Sequence, residues 1–383
     1  MKVIIAGDYA PISSRMIEQI ENDRFSEMFS DDLVSIIKDA DFSLVNFESP
    51  IANVDARPID KNGPTLRCSQ KAVDAIKYAG FSGVTLANNH FLDFGYVGVE
   101  NTIGACKSLN ISTVGGGVNL SDASKVLYEK IGSQTLAVIN CCEHEFSIAS
   151  ETTPGSNPLD PVAQFNQIIQ ARSNADYVVV VVHGGHEHHP LPSPRMKNLY
   201  RFFIDAGADA VVNHHQHLFS GYEVYKGKPI FYGLGNFAFD WDGKRDSLWN
   251  QGYLVQLDLN SVITFEIVPY EQYGVSPSVS LLKSSDIFYS DLSKLNAIIR
   301  DDKRLDELTK IYYDSREKII KSILEPNQNR LIRSAINRHI FRSMLSRQWL
   351  IKLHNIIDCE SHRDILLNFL NRITRQDESI MDC

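Results

Sequence analysis

Seven of the chain's twelve histidines fall between His183 and His217, a window in which the overall frequency predicts about one. The stretch opens with Tyr177-Val178-Val179-Val180-Val181-Val182, a β-branched run that reads as a buried strand. It ends directly in His183-Gly184-Gly185-His186-Glu187-His188-His189-Pro190. A second β-rich run, Ala208 to Val212, delivers Asn213-His214-His215-Gln216-His217 in the same way. Two strand ends that both present imidazole are how an α/β chain builds a metal site, because imidazole is the commonest side-chain ligand and strand ends hold it rigidly.

The remaining strands deliver polar groups too. Val3 to Ala6 ends in Gly7-Asp8, and Phe42 to Phe47 ends at Glu48-Ser49-Pro50. Gly83 to Ala87 runs into Asn88-Asn89-His90-Phe91-Leu92-Asp93-Phe94-Gly95. There Asp93, three residues after His90, is placed to orient the imidazole ring. Between these strands the spacing predicts helices over Asp31–Lys38, with Ser30 as its cap, from a Ser69 cap to a stop at Gly80, and over Tyr96–Leu109. Further on it predicts a strand over Gln134–Asn140, a helix over Val162–Arg172 and a hairpin around Lys226-Gly227. Strands over Tyr253–Leu259 and Val262–Val268 follow. This alternation lets Asp8, Glu48, Asn89, His90, His183, His215 and His217 meet at one sheet edge. Lys61 and Arg67, in a Gly-Pro loop, either face an anionic substrate or are simply solvated, and Arg195 is a further anionic-substrate candidate.

A formal net charge of −9 argues against a nucleic-acid binder, which needs a basic face for phosphates. The apolar N-terminal run is four residues long and no other run is long enough to cross a bilayer, so the cytoplasm is the expected location. The six cysteines (68, 106, 141, 142, 359 and 383) show no metal or redox spacing and read as reduced thiols. From Ser285 to Arg375 there is no glycine and one proline, with Leu and Ile at helical spacing, so residues 285–383 read as an all-helical extension following a domain over 1–275. Arg330, Arg333, Arg338, Arg342, Arg347 and Lys352 lie in that extension without an intervening Asp or Glu. They form either a solvated face or a docking arm for an anionic partner, and the amphipathic tail is compatible with a homodimer.

Two carboxylates, an amide oxygen and three imidazoles suit two divalent transition-metal ions (Mn, Fe, Zn or Co), and mixed N/O ligation disfavours Ca and Mg. In order along the chain, Gly7-Asp8, Val45-Asn46-Phe47-Glu48-Ser49-Pro50, Asn88-Asn89-His90-Phe91-Leu92-Asp93, His183-Gly184-Gly185-His186-Glu187, His214-His215-Gln216-His217 and Tyr232-Gly233-Leu234-Gly235-Asn236-Phe237 resemble the serial motifs of the CapA, or poly-γ-glutamate capsule biosynthesis, family. That family belongs to the calcineurin-like metallophosphatase superfamily. The resemblance covers about residues 1 to 270 and implies a four-layered α-β-β-α sandwich with a dinuclear metal centre. On that template Asp8 and His217 hold one metal, Glu48 bridges, and Asn89, His183 and His215 hold the second. His90, with Asp93, serves as general acid or electrostatic stabiliser. Glu187 and Asn236 join Lys61 and Arg67 as substrate-binding candidates. Ala10 stands where the superfamily carries a further histidine, which leaves one metal with fewer ligands.

The resemblance implies a hydrolase or transferase acting on a phosphoester, amide or γ-glutamyl bond of an anionic small molecule or surface polymer. The alternative is a non-catalytic, metal-stabilised assembly factor that docks to capsule-synthesis proteins through the basic tail. Closed structural zinc is the least attractive reading, because the ligand set holds no thiolate.

Overall fold

The computed structural model describes residues 1–245, 247–324 and 346–378. They divide into two compact units, Met1–Ile59 with Thr65–Leu305, and Asp60–Pro64 with Asp306–Cys383.

The first unit is built on two mixed sheets. In the larger, the strands run in the order Val279–Leu281, Thr264–Gln272, Gln251–Asp258, Lys2–Tyr9, Phe42–Phe47, Gly83–Thr85 and Ser112–Val114, and Asn236–Ala238 adds in parallel to Lys2–Tyr9. In the second the order is Tyr222–Tyr225, Lys228–Phe231, Ala210–His214, Tyr177–His183, Gln134–Cys142 and Leu127–Ile131. Successive side chains of a strand alternate between faces. Accordingly Val3 and Ile5 join Leu44, Val138, Val179, Val181 and Val212 in the core between the sheets, while Ile4 and Ala6 face a different cluster. That outer cluster holds Met16, Leu33, Ile37, Val73, Ile76 and Val99 from the helices Ser14–Glu21, Asp31–Lys38, Lys71–Ala79 and Gly95–Ser108. On the far side of the second sheet pack Pro161–Arg172 and Pro194–Ala206, which bury Ile168, Met196, Tyr200 and Phe203. The layers are therefore α-β-β-α.

Both of those helices start with proline at the first turn, where its missing N–H costs nothing. Asp160 and Ser193 cap them by accepting from backbone N–H groups. Two sequence-predicted caps differ. Ser30 holds the N-cap position but bonds to the Asp32 carboxylate, and the helix predicted from Ser69 takes Gln70 as its N-cap, without a side-chain bond. Gly80 does end that helix, with φ of 101°, a conformation that favours glycine.

The second unit is helical. Its core gathers Ile320, Ile356, Ile365, Leu366 and Phe369, and the Trp349 Nε1–H donates to the Ile323 carbonyl at 2.7 Å. The Asp286–Arg300 helix belongs to the first unit, where Phe288 and Leu292 join the core between the sheets. Of the basic run, Arg347 and Lys352 lie on the helix Arg347–Asp358, and Arg330, Arg333, Arg338 and Arg342 lie outside the described residues. Among the described residues no helix is long and apolar enough to cross a membrane, and Cys68, Cys106, Cys141, Cys142 and Cys359 are buried.

Candidate metal centre

Strands from both sheets end at one place, and their backbones are shaped to aim side chains there. Asp8 follows Gly7, where a Cβ would lie 1.9 Å from the Gly235 carbonyl oxygen, so only glycine allows the two segments to approach so closely. Register shifts on either side of Asp8 mark an irregular strand end, which re-aims the side chain. The Asp8 carboxylate accepts from Asn46 Nδ2 at 2.8 Å and from the His215 backbone N–H at 3.3 Å. Glu48 is fully buried one residue past the Phe42–Phe47 strand, and its N–H donates to the Tyr9 carbonyl at 3.0 Å. The Asn88–His90 turn is held by the Asn88 side chain, which donates to the Phe47 carbonyl and accepts from the His90 N–H.

His215 and His217 have φ of 92° and 57°, strained values for non-glycine residues that cluster at functional sites. His214 bonds through Nε2 to the Ala6 carbonyl at 2.9 Å and anchors the second sheet to the first. His215 and His217 are buried with the carboxylates.

Two triads of ligand atoms result, Glu48-His183-His215 and Asp8-Glu48-His217, with the atoms of each within 4.8 Å of one another. Glu48 belongs to both. Its Oε1 lies 3.5 Å from His183 Nε2 and 3.8 Å from His217 Nε2. Asn89 Oδ1 approaches His183 Nε2 at 3.1 Å, and Asp8 Oδ2 approaches His217 Nδ1 at 3.4 Å.

These contacts provide a test of whether the donor set fits metal. His183 Nε2 faces Asn89 Oδ1 at 3.1 Å, His215 Nδ1 at 3.0 Å and Glu48 Oε1 at 3.5 Å. One ring proton cannot serve all three at hydrogen-bond strength, whereas a cation at their centre does. The buried His/Asp/Glu cluster is compatible with metal binding.

The electrostatics are those of a charged centre closed off from water. Burial, followed by the His215, His214, His217 and His90 rings, holds His183 well below its ordinary pKa. At His217 burial acts the same way, but the Glu48 and Asp8 carboxylates overcome it and raise the imidazole to about 10. Burial raises the Asp8 carboxyl, yet its bonds to His217 and Asn46 and the nearby imidazoles bring it below the usual carboxylate range. Glu187 sits at the exposed edge of this field, where desolvation opposes its ionisation but His215, His217, His188 and His90 lower its carboxyl to about 2.

His90 and Asp93 form a unit beside the triads. His90 Nδ1 lies 2.7 Å from Asp93 Oδ2, which also accepts from the Leu66 N–H at 2.7 Å. The carboxylate thereby fixes which ring nitrogen is turned away. Glu187 enters the same field from the loop after the Tyr177–His183 strand. Asn236 is wholly buried against His217, with Oδ1 3.0 Å from His217 Nδ1. Arg67 points elsewhere. Its guanidinium donates to the Asn53 and Val54 carbonyls and lines a groove of about 820 Å³ that none of the ligand residues joins. Arg195 pairs with Glu143 at 2.7 Å, and Lys61 falls in the Asp60–Pro64 segment grouped with the second unit.

Three residues outside the sequence-derived set contribute to the site. Asn46 reaches both Asp8 and His183 Nδ1, the latter at 3.2 Å. An asparagine inside a fully buried strand was the available signal for it. Trp249 and His188 form an aromatic wall, with ring centroids 4.9 and 6.1 Å from that of His217.

The sequence family described as Bacterial capsule synthesis protein PGA_cap matches residues 2–241. Capsule biosynthesis protein CapA of Bacillus anthracis is 33% identical over 305 residues, which cover 77% of this chain and 73% of that protein. PGA biosynthesis protein CapA of Bacillus subtilis (strain 168) is 33% identical over 270 residues, 69% of this chain and 70% of that protein. Among solved structures, a putative 5'-nucleotidase from Staphylococcus aureus in complex with alpha-ketoglutarate superposes with a TM-score of 0.42 at 16% identity, over 78% of this chain and 58% of that one. With the family match spanning every strand that supplies a ligand and both CapA proteins aligned over two thirds of their length, the chain belongs to the bacterial capsule synthesis protein family PGA_cap.

Proposed function

We propose that the chain is a metal-dependent hydrolase or transferase of capsule or surface-polymer biosynthesis, acting on a phosphoester, amide or γ-glutamyl bond of an anionic substrate. The observation that carries this reading is the convergence of Asp8, Glu48, Asn89, His183, His215 and His217, all buried, around two triads that share Glu48. Glu48, Asn89, His183 and His215 would hold one cation, and Asp8, Glu48 and His217 the other. Cations bound there would polarise a phosphoryl or acyl group and lower the pKa of a bound water.

The chain's own groups do the rest. Asp93 holds the Nδ1 side of His90, so that Nε2 is the atom that carries or receives a proton at the leaving group. Glu187 remains ionised at the rim and offers a hydrogen-bond acceptor to substrate N–H or O–H groups. The rings of His188, Phe239 and Trp249 close one side of His217 and exclude water from it.

The experiment is a substrate screen with the manganese-loaded chain on p-nitrophenyl phosphoesters and γ-glutamyl anilides, run beside His90→Asn and His183→Ala. Turnover lost in both variants supports the enzyme reading, and turnover unchanged in both contradicts it. A second reading, a metal-stabilised assembly factor, draws on the helical second unit, where Leu350, Ile357, Leu367 and Ile373 are exposed apolar side chains. Absence of turnover by a metal-loaded wild type on both substrate classes would favour it.

A further inference from the structure

Asn236 is the first residue of the short Asn236–Ala238 strand, in register with Asp8 on the neighbouring Lys2–Tyr9 strand, and none of its surface reaches solvent. Its position is set by Gly235, whose φ of 78° and carbonyl bond from the Asp8 N–H leave no room for another residue.

The orientation of its amide follows from its neighbours. Asn236 Nδ2 lies 3.2 Å from the His217 carbonyl and 3.3 Å from the Trp249 carbonyl. A backbone carbonyl only accepts, so the nitrogen is on that side and Oδ1 faces His217 Nδ1 at 3.0 Å. An oxygen cannot donate, so Nδ1 carries a proton. Nε2, 3.8 Å from Glu48 Oε1, is then the nitrogen left to a cation. Asp8 Oδ2 is a more distant acceptor at 3.4 Å, and Asp8 is itself a proposed ligand.

The ring is also held mechanically. Trp249 packs against it with centroids 4.9 Å apart, and Trp249 is fixed by its Nε1–H on the Phe239 carbonyl and by Gln272 Nε2 on its own carbonyl. The choice of nitrogen matters because His215, two residues away, meets His183 through Nδ1.

We propose that Asn236 is a positioning residue of the cation site, whose side-chain oxygen holds the Nδ1 proton of His217 and so reserves Nε2 for the metal. The inference rests on the metal-site reading above and deepens it. It assigns Asn236 a role behind a ligand in place of contact with substrate.

The test uses the full chain with Co²⁺ alone as probe, comparing wild type, Asn236→Ala, Asn236→Asp, His217→Ala and the His217→Ala/Asn236→Ala double variant. Affinity and the visible cobalt spectrum are read at one pH, and near-ultraviolet circular dichroism of each metal-free variant reports the fold. Loss of an outer partner of a metal-bound histidine lowers affinity about 10- to 100-fold, which is the expectation for Asn236→Ala. Asn236→Asp keeps an oxygen toward Nδ1 and retains the wild-type spectrum. In the His217→Ala background Asn236→Ala produces no further loss. Wild-type affinity in Asn236→Ala, or a further loss in the double variant, overturns the inference while leaving the metal site intact. No cobalt uptake by the wild type rejects the metal-site reading itself, and the inference with it. If Asn236→Ala does not fold, Asn236→Asp decides: a site as weak as that of His217→Ala overturns the inference.

Discussion

His183 Nε2 lies 3.0 Å from His215 Nδ1, two buried imidazole nitrogens facing one another with Asn89 Oδ1 3.1 Å from the same His183 atom. Such an arrangement is compatible with a shared cation. The melting temperature of the wild type is therefore expected to rise with added Mn²⁺ or Zn²⁺ and to fall back on chelation. Binding to the folded state alone contributes about 2.7 kcal/mol at a hundredfold excess over Kd. His215→Ala abolishes most of that shift while leaving the metal-free melting temperature unchanged or higher. A metal-independent melting temperature in the wild type would contradict the arrangement.

Metal uptake at His217, as proposed, is expected to displace a proton. In the metal-free protein Glu48 and Asp8 overcome burial and raise this imidazole to about 10, so it is cationic at neutral pH, and a ligating nitrogen must lose its proton. Zinc binding in weak buffer is expected to release protons, and affinity should fall as the pH is lowered. Without metal the sign is opposite. A raised pKa means that His217 contributes stability in full below its ordinary value of 6.5 and loses it as pH rises through about 10. Calorimetry in two buffers of different ionisation enthalpy reads the proton count directly.

In the proposed function His90 and Asp93, 2.7 Å apart, serve the chemistry and stand outside the ligand triads. On any substrate the wild type turns over, His90→Asn is expected to lower kcat about 10²- to 10⁴-fold, the range for a positioned acid or base, with bound metal unchanged. Asp93→Asn retains the geometry but loses the carboxylate that fixes the ring, so its loss falls in the same direction. Metal loss in either variant would show that the pair supports the ligands.

Asp240 provides a stability prediction away from the centre. Its side chain is fully buried, and Arg15 and Arg245 reach it at 2.6 and 2.8 Å. Burial pushes the carboxyl up, but the bonds from Arg245, Arg15 and Ser13 outweigh it and hold the group at about 2. A depressed carboxylate contributes stability that is complete above its ordinary value of 3.8 and lost as pH falls toward 2. Asp240→Asn is expected to cost about 2 kcal/mol at neutral pH, the scale of a buried charged hydrogen bond, and to flatten the acid limb of the urea-midpoint profile. An unchanged limb contradicts it.

Where local signals decide, sequence and structure agree closely. Phe42–Phe47 forms the strand that its residues predict, and the Tyr177–His183 valine run is a central, doubly covered strand, as unbroken apolar runs tend to be. Asp8, Glu48 and His183 sit at strand ends and Asn89, His215 and His217 in the loops that follow strands, but the sequence pattern does not reveal that these strands belong to two different sheets. Pro194–Ala206 was hidden because Pro190, Pro192 and Pro194 read as loop, although Ser193-Pro194 is also a helix start. The turn of Arg67 toward Asn53 and Val54 depends on which carbonyls a loop leaves open, and residue order alone does not specify that. Likewise the Asn236 contact to His217 depends on the parallel register of Asn236–Ala238 against Lys2–Tyr9, a long-range pairing with no local signature.

The most direct measurement of the central claim is elemental analysis of the purified full chain, prepared without chelator and dialysed, beside His217→Ala. A cluster of two triads joined by Glu48 predicts about two equivalents of transition metal in the wild type and fewer in the variant. No metal in the wild type, with no uptake from added manganese or zinc, would contradict it.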